Sequence, residues 1–161
     1  MRELLTTSND PEGILRTVCK PVEDVNSEII SLAQDLIDYL LDHREDEVVP
    51  VSLAAPQLGS LVRVIAFYPN PAFKNRLAIQ VLINPTLVKA SKFGILNESC
   101  LGIPGKTFRV KRAKRVKVKG IGIDGRPKTI RGEGLLAQML QHEIDHLDGV
   151  LIDKSGELVR R

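Results

Sequence analysis

The stretch Gln141-His142-Glu143-Ile144-Asp145-His146 limits what this chain can fold into more than any other. It holds two of the three histidines. Positions four apart share one face of an α-helix, so His142 and His146 can direct two imidazoles at one metal ion. Glu143 is displaced along the helix from both and can approach a water on that ion without being a ligand. Metal-assisted hydrolysis uses this arrangement: a metal acidifies a water and the carboxylate takes its proton. Such a short pattern also recurs by chance on amphipathic helices, so its setting matters. Leu135, Leu136, Met139, Leu140 and Ile144 repeat at helical spacing. Gly132 and Gly134 precede the run, and Gly149 follows where a C-cap glycine would sit. The spacing predicts a helix that carries both histidines.

Two imidazoles do not complete a catalytic centre, which takes a third protein ligand and an open position for water. No histidine follows His146. Glu157 is available, but the C-terminal residues offer little structure to position it. Cys100 is the better candidate, because Asn97-Glu98-Ser99-Cys100-Leu101-Gly102-Ile103-Pro104-Gly105 reads as a built loop. Cys19 and Cys100 are too few for a disulfide scaffold. Each can be a buried free thiol or a ligand.

The remaining chain supplies a second helix and several strands. Asn26-Ser27 is a good N-cap pair, and Val25 with Ile30 can form a hydrophobic staple. Ile29, Ile30, Ala33, Leu36, Ile37, Leu40 and Leu41 form an apolar stripe. The stripe predicts a helix over about Glu28–His43. His43 opens a charged run and is read as part of a solvated helix end. Val48 to Gly59 suits a strand entering a tight loop. Leu61 to Tyr68 and Leu77 to Ile83 are strand-like, the second ended by Asn84-Pro85, with Thr86 to Ala90 continuing the meander. Arg109 to Lys119 alternates basic and apolar residues, Asp124-Gly125 is a hairpin turn signal, and Thr129-Ile130 fits a return strand. Val150-Leu151-Ile152 reads as a last short strand. The expected class is α+β: antiparallel strands around a central metal-binding HExxH helix, with a second long N-terminal helix.

Composition excludes several classes. At 161 residues, 43% apolar and 27% charged, the chain reads as one domain over residues 1–161. No apolar run reaches the length of a membrane span, so no membrane partner is expected. The basic alternation from Arg109 tempts toward RNA, but it reads as a solvated strand face with no interleaved aromatic platform. The formal charge of +3 is too small to imply a nucleic-acid site. The N-terminus lacks the apolar core of a signal peptide. That points to an intracellular, cytoplasmic protein, or to a mature chain after loss of a targeting segment.

Three separated motifs together resemble the peptide deformylase family. Gln141 to Gly149 reads in full as that family's QHExDHLxG. Glu98-Ser99-Cys100-Leu101-Gly102 stands where the family has EGCLS, and Pro50-Val51-Ser52-Leu53-Ala54-Ala55-Pro56-Gln57 where it has GxGxAAxQ. Order and separation agree, as do Leu15-Arg16 and Lys20-Pro21-Val22 near the N-terminus. The resemblance implies that Cys100, His142 and His146 are metal ligands and that Glu143 is the general acid/base. It implies that the Gln57 amide and the Leu101 backbone N–H stabilise the developing oxyanion. The implied activity is hydrolysis of the formyl group from the N-terminal formyl-methionine of new polypeptides, with release of formate. The implied cofactor is Fe²⁺, which Zn²⁺ or Ni²⁺ can replace in purified protein. Implied partners are formyl-methionyl peptides or nascent chains, with a transient ribosome contact. Glu98 is expected to anchor the Cys100 loop or to be a surface carboxylate, and Arg112 to support the site or to be a solvated strand arginine.

Four positions depart from the family pattern. Pro50 and Ser52 replace glycines of the first motif, and Ser52 is expected to narrow the peptide cleft. Ser99 and Gly102 replace the residues flanking Cys100-Leu101. Gln138, one turn before His142, falls on the face expected to line a methionine pocket with Leu135 and Met139, unless it turns outward. These departures keep open a divergent N-acyl hydrolase of the same fold, or a weakly active paralogue that binds formylated peptides. A zinc endopeptidase is a more distant reading.

Overall fold

The computed structural model describes residues 2–70 and 78–160. Its elements run in the order α1 (Ser27–Asp42), β1 (Ser52–Ala54), β2 (Val64–Phe67), β3 (Gln80–Cys100), β4 (Ile103–Ile121), β5 (Pro127–Glu133), α2 (Leu135–Leu147), α3 (Ile152–Ser155) and β6 (Gly156–Leu158). The strands form one antiparallel path, β1-β2-β3-β4-β5, and β6 pairs with β4. Helices and antiparallel strands are therefore segregated, as expected for the α+β class. Among the described residues no helix is long and apolar enough to cross a membrane.

Strand β2 explains how two helices share one sheet. All four of its residues are buried, and successive side chains point to opposite faces. Val64 and Ala66 pack with Leu32, Leu36 and Leu40 of α1. Ile65 and Phe67 pack with Ala137, Leu140, Ile144 and Leu147 of α2. The histidine-bearing helix is thus clamped on one face of the sheet and the N-terminal helix on the other. Asn26 Oδ1 accepts from the Ile29 N–H at 3.1 Å, so α1 begins at the cap its sequence announces. At the far end of α2, Gly149 has φ 71° and sits just past the last helical turn.

Three local readings change, and one position of a fourth falls outside the description. Leu77 lies outside the described residues. Asn84-Pro85 does not end the strand, because β3 passes through both with a register shift. Asn84 takes φ 51° there, and its side chain ties to the backbone N–H and C=O of Val22 at 2.8 Å each. Residues 97–105 are not an open loop: β3 and β4 form one long hairpin that turns at Leu101-Gly102, with Cys100 opposite Ile103. Val150 to Ile152 is not a strand. Ile152 starts the short helix α3, and Gly156–Leu158 pairs with Val110 to Phe108 instead. A short apolar run cannot by itself separate a strand from a buried helical turn.

Candidate active site

The end of β3 meets the middle of α2, and the three ligand candidates converge there. Cys100 Sγ lies 3.3 Å from His146 Nε2, and the two histidine Nε2 atoms lie 3.2 Å apart. The three donor atoms all fall within 4.8 Å of one another; Cys100 and His146 are buried and the His142 side chain is 11% exposed. Bonds of about 2.0–2.3 Å from one tetrahedral ion put its donor atoms about 3.3–3.8 Å apart. The His142–His146 and His146–Cys100 separations are close to this spacing, so two imidazole nitrogens and a sulfur can gather about a single divalent ion. Burial, then the nearby His142, pushes the His146 imidazole well below its usual range. At His142 burial is outweighed by hydrogen bonds to Cys100 and Glu98, which push it well above its own, so metal binding here would release a proton from His142.

Neighbouring groups orient this set. His142 Nδ1 bonds Glu98 Oε1 at 2.5 Å, which leaves Nε2 as the nitrogen facing Cys100 and His146. The Gly102 N–H donates to Cys100 Sγ at 3.3 Å, an N–H that fits a thiolate acceptor. Cys100 also packs against Leu15, Ile103, Phe108 and Leu151, so the sulfur has an apolar wall behind it.

Glu98 is no surface carboxylate; it is 7% exposed and lies between His142 and Arg112. Arg112 is not solvated either. It donates to both Glu98 oxygens and, through Nη1 at 2.6 Å, to Asp145 Oδ2. Burial pushes the Glu98 carboxyl up, but the hydrogen bonds from Arg112 and then His142 outweigh it and hold the group at about 2. Gln138 turns inward and donates to Asn97 C=O at 3.0 Å and to Glu98 Oε2 at 3.2 Å. Gln141 bonds the N–H and C=O of Ala113 at 2.9 Å each, and so locks α2 to β4 one residue before His142.

Glu143 is 2% exposed. Burial raises its carboxyl pKa, against the pull of His142 and Ser52. Ser52 Oγ donates to Glu143 Oε1 at 2.6 Å, a contact between residues 91 positions apart. Ser52 does more than line the cleft: it binds the carboxylate inside it. Gln57 is buried in the turn after β1. Its Oε1 accepts the Ala54 N–H at 2.9 Å, which leaves the Nε2 end as the available donor. Leu101 occupies the hairpin turn directly after Cys100.

These groups line one cleft of about 690 Å³ that contains Ser52, Gln57, Cys100, Leu101, His142 and Glu143. Pro50, Leu135, Gln138 and Met139 continue its wall. His43 stands apart, stacked on Tyr39 at the end of α1. Glu157 is held in β6 opposite Arg109. Neither is part of the cleft lining.

Two contacts escaped the sequence reading, and the choice it left open for Arg112 could have been settled. The inward turn of Arg112 did carry a signal, since it is in phase with buried Phe108, Val110, Val116 and Val118 on β4. The Asp145 partner of Arg112 and the Ser52–Glu143 contact join distant segments, and no local pattern marks them.

Comparison with known proteins gives a consistent picture. The family profile described as Polypeptide deformylase matches residues 1–160. The "Peptide deformylase" of Thermodesulfovibrio yellowstonii is 37% identical over 158 residues, covering 98% of this chain and 92% of the relative. That of Dictyoglomus thermophilum is 40% identical over 143 residues, covering 88% and 85%. Among solved structures, a peptide deformylase from Legionella pneumophila superposes with a TM-score of 0.84 at 35% identity. It covers 96% of this chain and 85% of its own.

Proposed function

We propose, for a chain that belongs to the polypeptide deformylase family, that it removes formyl groups from the N-terminal formyl-methionine of newly made polypeptides. The observation that carries this reading is the convergence of Cys100 Sγ, His142 Nε2 and His146 Nε2 in a cleft that also holds buried Glu143. A divalent ion held by those three atoms supplies, when bound, the Lewis acidity that lowers the pKa of water at the site. The family resemblance implies Fe²⁺ in that place, with Zn²⁺ or Ni²⁺ as replacements, and two imidazoles and a thiolate suit all three.

The chain's own residues do the rest. Glu143 accepts a proton from the attacking water as its oxygen adds to the formyl carbon. The Gln57 Nε2–H and the Leu101 N–H donate to the oxygen on which negative charge develops. The carbon–nitrogen bond then breaks, and Glu143 returns the proton to the leaving methionyl amine. Products are formate and a peptide with a free amino terminus. Leu135 and Met139 offer apolar surface to the methionine side chain. The reading places the protein in the cytoplasm, in transient contact with ribosomes carrying nascent chains.

A formyl-methionyl tripeptide offered to the iron- or zinc-loaded protein should acquire a free amino terminus, detectable by amine labelling. A peptide that stays blocked while metal is bound would contradict the reading.

A further inference from the structure

Ser52 neither holds the metal nor moves a proton in the reaction. We propose that it is a positioning residue, whose hydroxyl holds Glu143 by one carboxylate oxygen so that the other is presented to the proton in transit. This rests on the deformylase reading of Glu143.

Strand alternation dictates the contact. On β1, Leu53 joins the cluster against α1, whereas Ala54 joins the cluster against α2. Ser52 shares the face of Ala54 and therefore points toward α2, where Glu143 lies. The pairing of Ser52 with Phe67 and of Ala54 with Ile65 fixes the backbone under it. Among the described residues, the Ser52 hydroxyl is the only hydrogen-bond donor to the Glu143 carboxylate. Glu143 Oε2 is buried with no partner.

A buried carboxylate with one oxygen satisfied and one open is an asymmetric acceptor. Leaving Oε2 unpaired is unfavourable in a folded protein and is expected where the group is used. Fixing Oε1 removes rotation about the last side-chain bond, so Oε2 keeps one direction. A glycine at position 52, as in the motif this stretch resembles, has no hydroxyl to donate. The hydroxyl proton, committed to Glu143, is also not available to a bound peptide. Ser52→Gly should therefore cost turnover rather than improve substrate use by opening the cleft.

The test compares wild type with S52A, S52G and S52T, each loaded with zinc and checked for metal content. Metal content should stay unchanged in all. In S52A and S52G, kcat for a formyl-methionyl peptide should fall about tenfold, as for loss of one hydrogen bond to a charged group, with KM within about twofold. S52T, which keeps the hydroxyl, should recover most of the lost kcat. Equal loss in S52A and S52T, or a change confined to KM, would overturn the inference. S52G decides the matter if S52A does not fold. Crystal structures of the zinc-loaded wild type and S52A give a readout that needs no turnover: the Glu143 carboxylate should turn or split in S52A. The same carboxylate orientation in both would overturn the inference. A wild type that releases no formate would instead defeat the deformylase reading, and the crystallographic comparison would still decide whether Ser52 sets the carboxylate.

Discussion

Glu98 and Arg112 meet fork to fork inside the protein: Arg112 Nη2 donates to Oε1 at 2.6 Å and Nε to Oε2 at 3.0 Å. The Oε1 that takes Nη2 also bonds His142 Nδ1. One carboxylate therefore neutralises a buried guanidinium and orients the imidazole proposed as a metal ligand. Glu98→Gln should weaken metal affinity by about 10- to 100-fold, the usual effect of losing a partner behind a ligating histidine. Competition with a chelator measures this, and unchanged affinity would separate Glu98 from the metal site.

The same ion pair gives a pH dependence of stability. Glu98 is held at about 2 in the folded protein against an ordinary 4.5. A depressed carboxyl stabilises the folded state fully above its unfolded pKa, and that contribution disappears as pH falls toward the folded one. In metal-free protein, the stability advantage of wild type over Glu98→Gln should be complete at pH 6 and shrink between about pH 4.5 and 2. Urea unfolding of both proteins at several pH values checks this. An advantage that grows as pH falls would contradict the sign.

Ligands and base should separate cleanly. Cys100→Ala and His142→Ala should each lose bound metal and activity together. Glu143→Ala should keep the metal and lose turnover, because its assigned role is proton transfer. Metal analysis beside a rate measurement distinguishes them. Full metal occupancy in Cys100→Ala would remove Cys100 from the ligand set, and near wild-type turnover in Glu143→Ala would remove it as base.

Much of the fold and site is legible in the sequence, because helical periodicity and caps are local. The run from Leu135, with Gly134 before it and Gly149 after, marks α2 closely, and Asn26 marks the start of α1. Residue type and spacing single out Cys100, His142 and His146, and the fold brings them together. Contacts that depend on register across distant segments are not legible. Ser52 reaches Glu143 only because β1 presents that face to α2. The last strand is misplaced because Val150 to Ile152 is a short apolar run. β6 is defined by its pairing with β4, which its own residues do not announce.

The glycine that closes α2 should be hard to replace. Gly149 has φ 71°, and a Cβ there would lie 2.7 Å from the Arg16 carbonyl oxygen. Left-handed backbone disfavours any side chain, and this neighbour is main chain that cannot swing away. Gly149→Ala should destabilise the protein by more than about 1 kcal/mol, with a matching fall in Tm. An unchanged melting temperature would show that the segment around Arg16 moves freely from the end of α2.

Formate release tests the central claim most directly. Zinc- or iron-loaded protein is mixed with a formyl-methionyl peptide and, separately, with its acetyl-methionyl counterpart, and formate or acetate is measured against free amine. The predicted result is formate in equal amount to new amine from the first peptide, and no acetate from the second. Acetate release at a comparable rate would make the protein a broader N-acyl hydrolase. Tight binding of the formyl peptide without any formate would make it a binding protein on a deformylase fold. Either result would contradict the assignment of this chain as a formyl-specific hydrolase.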